Sequence, residues 1–292
     1  MVDFSKVCAH VESGVSFSSL TTIKVGGRVD WVCYPENSKE LINTVKLCAK
    51  HKIKSIILGN GSNVLAKDTP FNGVVISTKR LNHISLLNGG KIKVGAGAML
   101  SKVCAFCEKN NLTGIEKLCG IPGTIGGAVV MNAGAFGCEI GNMVESVCVL
   151  DMEMLTTITK SQLFFDYRAS TFTNKQNCVI LNVVLQLTKS TFIPNSLYYV
   201  LLKKQTQNVG YPSAGSVFKR NGDIIPAKLI EDCGLKGLGI GGAMVSNVHA
   251  GYIVNTGGAT YHDILRLIKL VKKRVRERFG VELELEIRVI GG

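Results

Sequence analysis

The spacing of apolar and polar positions changes character several times along the chain. Apolar-rich runs predict strands over Arg28–Tyr34, Ile53–Leu58, Val74–Thr78 and Ile92–Val94, and helical apolar spacing predicts a helix over Ser38–Lys50. A second helix is predicted over Met99–Asn110. A glycine-rich stretch follows, and then Val144–Leu150 and Val179–Leu187 read as long strands. The pattern breaks between Thr188 and Ile193, where Pro194 and Asn195 supply turn chemistry before a Leu- and Lys-rich helix over Leu197–Gln205. Short apolar strands within Gly239–Val245 and Gly251–Val254, an amphipathic helix and a terminal strand Glu282–Ile290 complete the order. This predicts an α+β chain in two parts. Residues 1–190 form the larger, with subdomains near 1–78 and 79–190, and residues 191–292 form a smaller C-terminal α/β domain.

Length and composition agree with two cores joined by many tight turns: 292 residues, 46% of them hydrophobic, with 32 glycines. The longest apolar runs, Val179–Leu181 and Val183–Leu185 on either side of Asn182, fall well short of the roughly 20 residues of a membrane span. The first residues carry Asp3, His10 and Glu12 and lack the layout of a secretion signal, so a soluble, cytoplasmic protein without membrane insertion is expected. Ten cysteines scattered from Cys8 to Cys233 read as reduced, mostly buried thiols. Cys104 and Cys107 have a spacing that can hold zinc or a redox disulfide, but no second ligand pair accompanies them. With Val103 they fit the core face of a helix, and no metal is assigned.

A formal net charge of +13 fits nucleic acid, an anionic small substrate or a solvated basic surface. Arg266, Lys269, Lys272, Lys273, Arg274, Arg276 and Arg278 interleave with an apolar stripe at Ile264, Leu267, Ile268, Val271 and Val275. That pattern predicts an amphipathic helix with a solvated basic face. No basic-aromatic binding motif accompanies the charge, so a nucleic-acid-binding protein is the lower-ranked alternative, and no obligate protein partner is evident.

Candidate chemistry begins at Gly59-Asn60-Gly61-Ser62-Asn63, which follows a predicted strand directly. Such a turn exposes several backbone N–H groups beside short polar side chains, a concave site for a phosphate or diphosphate, although an ordinary tight turn has the same composition. A second segment runs from Gly120 through Pro122, Gly123, Thr124, Ile125 and Gly126 to Ala128, and is followed by Met131 to Gly137, including Ala133 and Gly134. Backbone can approach a ligand closely there. Neither segment has the dinucleotide Gly-x-Gly-x-x-Gly spacing or the lysine of a phosphate loop, so the pair points to a different nucleotide cradle.

These segments, together with Asp166-Tyr167-Arg168-Ala169-Ser170 and Tyr211-Pro212-Ser213-Ala214-Gly215-Ser216-Val217-Phe218-Lys219-Arg220, resemble the UDP-N-acetylenolpyruvoylglucosamine reductase family. Lys228–Asp232, His249-Ala250-Gly251 and Glu286–Gly291 match in the same order, so the resemblance covers nearly the whole chain. The glycine segments alone also fit other FAD oxidoreductases of the vanillyl-alcohol-oxidase-like (PCMH-type) superfamily. The C-terminal motifs separate the two readings. The resemblance implies a PCMH-type FAD-binding domain plus a smaller substrate-binding domain, in the family's compact subtype. It implies a flavoprotein oxidoreductase of peptidoglycan synthesis and cell-wall biogenesis, in which NADPH reduces FAD and the reduced flavin reduces enolpyruvyl-UDP-N-acetylglucosamine. The cofactor residues so implied are Gly59, Asn60, Gly61, Ser62, Asn63, Pro122, Gly123, Thr124, Ile125, Gly126, Ala133 and Gly134.

Hydride addition to an enolpyruvyl double bond leaves negative charge on the neighbouring carbon and its carboxylate, which a guanidinium and a carboxyl group can hold while a hydroxyl protonates the carbon. The resemblance assigns these roles to Arg168, Glu286 and Ser216. Without the motifs, Arg168 reads as a surface ion pair with Asp166, Ser216 as a turn serine, and Glu286 as one of three glutamates on a solvated strand face. A hydrogen-bond-donating Glu286 must be protonated, which needs burial or a nearby like charge. Lys219 and Arg220 are the expected partners of the substrate diphosphate, with solvent exposure as the alternative. His249 reads as a structural histidine, and Tyr167 as packing or lining the site. The segment Asn221–Pro226, Asn208, Phe136 and Cys138 depart from the family pattern, so the loop after Arg220 is expected to have its own shape.

Overall fold

The computed structural model describes residues 2–152, 154–175, 178–191, 195–207 and 210–292. The chain divides into two units. The first contains residues 1–13, 31–60 and 73–202, and the second contains 14–30, 61–72 and 203–292. The short segments 14–30 and 61–72 therefore fold with the C-terminal residues rather than with their sequence neighbours. Ile193 and Pro194, where the expected division falls, lie outside the described residues, as does Asn208. The helix after them, Ser196–Gln207, has its first residues in one unit and its last in the other.

The first unit holds two sheets. Val11–Ser13, Val29–Cys33, Phe71–Ser77 and Ser55–Leu58 lie side by side in that order, the last two parallel. The chain changes unit inside Val29–Cys33 and inside Phe71–Ser77. Helix Ser38–Lys50 starts where the Asn37 side chain accepts from the Glu40 amide, and Leu41, Thr44 and Cys48 form its buried stripe. Leu41 and Cys48 share a core with Phe4, Cys33, Val74 and Ile76.

The second sheet is antiparallel, in the order Met154–Thr159, Val144–Asp151, Cys178–Gln186, Lys91–Gly95, Ile84–Leu86. Its core takes Ile92, Val147, Val183 and Leu185 from the strands. Val103, Cys104 and Cys107 join it from helix Leu100–Lys109, which bears out the core reading of those two cysteines. All ten cysteines are free thiols.

In the second unit, Ser213–Ser216, Tyr252–Asn255, Ala243–Val245 and Gly239–Ile240 form an antiparallel sheet in that order. Helix Tyr261–Phe279 buries Ile264, Leu267, Ile268, Val271 and Val275, the stripe read from the sequence. It opens with a reciprocal capping box between Thr260 and Asp263 and closes on Gly280 at φ +68°. Its basic residues lie off that stripe, and Lys272 meets Glu282 at 2.8 Å.

The terminal segment departs from expectation. Only Arg288–Ile290 is a strand, parallel to Val64–Ala66, and Leu285 adds a single bridge to Phe218. Leu283, Leu285 and Ile287 still turn toward the core at alternate positions, so the burial expected of a strand is present over a stretch that lacks most of its ladder pairing. Among the described residues no helix is long and apolar enough to cross a membrane.

Candidate active site

Within the first unit, Gly59 and Asn60 of the first glycine segment meet the second segment at Pro122 and Thr124. Strand Ser55–Leu58 ends at Gly59, where a Cβ atom would overlap Thr124 Oγ1. The next residue, Asn60, donates from Nδ2 to the Pro122 carbonyl at 2.6 Å. Thr124 is buried and caps the short helix Ile125–Val130, its hydroxyl accepting from the Gly127 amide at 3.4 Å. Glycine at 59 is thus fixed by close approach to a buried cap rather than by backbone conformation.

The amides of Ile125 and Gly126 donate to the carbonyls of Ala98 and Ala96, both at 2.8 Å. A Cβ on Gly126 would stand 3.0 Å from Ala96, so this glycine lets the start of the helix pack on the 96–98 backbone. By contrast, the amides of Asn60, Gly61, Ser62 and Asn63 have no protein acceptor among the described residues. Four successive donors without acceptors make a turn suited to an anion. The donor-rich turn therefore fits a diphosphate group.

Arg168 also lies in the first unit, in the tight connection between Phe165–Asp166 and Ala169–Ser170. Its φ of +54° is a left-handed conformation that costs a non-glycine residue energy. The guanidinium sits 4.8 Å from the Tyr167 ring centre and reaches the Gly134 carbonyl at 3.5 Å. Gly134 belongs to the hairpin Gly134–Glu139, whose turn residues Phe136 and Gly137 have φ of +52° and +74°. A two-residue hairpin turn with both φ values positive is satisfied by this pair, although Phe136 bears a side chain.

Asn132 joins the hairpin to the Arg168 connection, and the sequence reading missed it. It is buried, and its Nδ2 donates to Glu139 Oε2 at 2.8 Å and to the Asp166 carbonyl at 2.9 Å. Its Oδ1 accepts from the Gly141 amide at 3.0 Å. A buried side-chain amide with three satisfied bonds fixes both segments near Arg168. Its only sequence signal is its place inside the glycine-rich stretch.

The second unit brings together the remaining candidates. Ser216 ends strand Ser213–Ser216 directly opposite Tyr252. The Glu286 amide donates to the Val217 carbonyl at 2.8 Å, and Asn63 Nδ2 donates to the Glu286 carbonyl at 3.1 Å. The Ser62 carbonyl lies 3.8 Å from where a Cβ on Gly215 would stand. Ser62, Asn63, Ser216 and Glu286 are therefore neighbours.

Glu286 differs from the other two glutamates of its segment, since Glu282 and Glu284 are exposed and it is partly buried. Lys219 is held by Glu284 at 2.5 Å, in an ion pair whose carboxylate is largely exposed. The departing segment forms a tight turn bridged between Asn221 and Ile224, and it delivers Pro226 to the first turn of helix Pro226–Asp232. His249 accepts at Nδ1 from the Gly251 amide at 3.1 Å, and burial pushes its pKa down, so it is a neutral structural histidine.

Tyr252 was also missed. It is buried, its hydroxyl donates to Gln207 Oε1 at 3.0 Å, and its ring packs edge-on against His249 at 5.0 Å. Burial raises its pKa, and hydrogen bonding from the Ser216 hydroxyl offsets part of that rise.

Comparison with known proteins matches residues 29–157 to an FAD binding domain and residues 207–290 to the C-terminal domain of UDP-N-acetylenolpyruvoylglucosamine reductase. The UDP-N-acetylenolpyruvoylglucosamine reductase of Clostridium perfringens (strain SM101 / Type A) is 42% identical over 272 residues, 92% of this chain and 89% of the relative. That of Caldanaerobacter subterraneus subsp. tengcongensis is 42% identical over 275 residues, 93% of this chain and 90% of the relative. The crystal structure of the Thermus caldophilus enzyme matches with a TM-score of 0.78 at 31% identity, covering 96% of this chain and 98% of that one. With a matching C-terminal domain, an FAD binding domain and full-length relatives at this identity, the chain belongs to the UDP-N-acetylenolpyruvoylglucosamine reductase family.

Proposed function

We propose that Arg168, Ser216 and Glu286 carry the reduction of enolpyruvyl-UDP-N-acetylglucosamine to UDP-N-acetylmuramate in this FAD-dependent, NADPH-consuming oxidoreductase of peptidoglycan precursor synthesis. Bound FAD supplies the hydride chemistry between NADPH and the substrate. Gly59 to Asn63, with Pro122 to Gly126 and Ala133–Gly134, would hold it. The unpartnered amides of Asn60 to Asn63 offer the donors, and the Gly59–Thr124 approach keeps the turn in shape. Residues 191–292 supply the substrate side, with Lys219 and Arg220 toward its diphosphate. Cytoplasmic location follows from the UDP-linked substrate.

The chain's own residues handle charge and protons. As the enolpyruvyl carbon gains an electron pair, its carboxylate takes on enolate character. Arg168 supplies fixed positive charge to that carboxylate, and a protonated Glu286 donates a hydrogen bond to it. Ser216 then gives its hydroxyl proton to the carbon. A serine hydroxyl is a weak acid and is competent only where a carbanion-like partner is held against it.

The observation that carries this reading is the backbone bond from Glu286 to Val217 at 2.8 Å, which fixes the carboxyl-bearing residue beside the serine. The experiment is Ser216→Ala with both half-reactions followed. Normal flavin reduction by NADPH with slow reoxidation by the enolpyruvyl nucleotide is expected, and unimpaired reoxidation rejects the serine as the acid.

A further inference from the structure

We propose that Tyr252 is a positioning residue for Ser216, holding the serine hydroxyl through its own phenol oxygen, whose proton is fixed on Gln207. This rests on the reading of Ser216 as the proton donor.

Ser216 and Tyr252 are directly opposed in an antiparallel pair, so their side chains stand on one face of the sheet with Cβ atoms about 5 Å apart. The phenol is not free to turn. Its proton goes to Gln207 Oε1 at 3.0 Å, and the ring is clamped edge-on to His249 with 8% of the residue exposed. A tyrosine hydroxyl has one proton and two lone pairs, so a phenol that donates to Gln207 can only accept from Ser216. A serine hydroxyl otherwise chooses among three rotamers, and this acceptor selects one. Burial holds the phenol above its usual pKa, so it stays a neutral acceptor at neutral pH.

Tyr252→Phe keeps the ring and removes the oxygen. FAD reduction by NADPH and substrate affinity are expected to stay within twofold of wild type. Flavin reoxidation by the enolpyruvyl nucleotide is expected to fall about tenfold, the size of one misplaced hydrogen bond, with a larger solvent deuterium isotope effect. Added to Ser216→Ala, the same change should have no further effect, because a residue that acts through Ser216 has nothing left to act on. Gln207→Leu, outside the sheet, should slow reoxidation in the same direction.

Wild-type reoxidation in Tyr252→Phe with slow Ser216→Ala overturns this inference and leaves Ser216 standing. Wild-type reoxidation in Ser216→Ala overturns both. Equal losses in the two half-reactions, or an additive loss in the double variant, overturn the inference in favour of a structural tyrosine.

Discussion

Gly59→Ala tests the meeting of the two glycine segments most sharply. The new Cβ would overlap Thr124 Oγ1, while the next nearest atoms of Thr124 stay at 3.5 Å. The threonine must therefore rotate or move, although it is only 1% exposed and has little room. Rotation breaks its cap on Gly127, worth about 1 kcal/mol. It also leaves a buried hydroxyl off its preferred rotamer, for about another 1–2 kcal/mol. The sum of roughly 2–3 kcal/mol corresponds to a melting temperature lowered by about 3–5 °C in a chain of this size. Because Asn60 is tied to Pro122, the turn moves with its neighbour, and FAD affinity should fall at least tenfold, read by fluorescence titration well below the melting range. Gly127→Ala is the control. Its Cβ would rest at 3.5 Å from the same oxygen, an ordinary contact, so this helix residue should unfold no earlier than wild type. A Gly59→Ala protein that melts and binds FAD like wild type would refute the argument.

Two further predictions follow from strained or charged positions. Arg168→Gly should relieve the left-handed conformation and raise stability by about 1 kcal/mol, while flavin reoxidation by substrate falls about 100-fold through loss of the guanidinium. Denaturant unfolding and stopped-flow absorbance read the two effects, and a loss of stability would contradict the strain. Asp263 has its pKa pulled down to about 2, first by the Thr260 backbone and then by Arg266 and the Thr260 hydroxyl. Its folded value lies below its usual 3.8, so its stabilisation is present above pH 4 and is lost as pH falls toward 2. Urea midpoints of wild type and Asp263→Asn should thus differ at pH 6, with the gap narrowing below pH 4 and closing only toward pH 2, and a constant gap would exclude the carboxylate as the cause.

The helices Ser38–Lys50 and Tyr261–Phe279 were legible because their buried stripes and caps are written locally. The strands Val144–Asp151 and Cys178–Gln186 were legible for the same reason. Met154–Thr159 was not, since it is an almost wholly exposed edge strand without an apolar rhythm. The terminal segment alternates glutamate with apolar residues as a strand would, yet only Arg288–Ile290 finds a pairing partner, in the three-residue strand Val64–Ala66. The same long-range pairing draws residues 61–72 into the second unit, and nothing local in the sequence encodes it. At the candidate site, the glycine motifs and the proposed roles of Arg168, Ser216 and Glu286 come from resemblance rather than from any local pattern. Asn132, Gln207 and Tyr252 make their side-chain bonds to residues distant in sequence, and their residue types alone carry no signal.

The central claim is that this chain passes hydride from NADPH to an enolpyruvyl nucleotide. The most direct measurement is the visible absorption of the FAD-reconstituted protein without oxygen, recorded as NADPH and then enolpyruvyl-UDP-N-acetylglucosamine are added. Bleaching by NADPH followed by full recovery on adding the nucleotide, with UDP-N-acetylmuramate formed in equal amount, is the predicted result. Flavin that bleaches and stays bleached in the presence of the nucleotide would contradict the account.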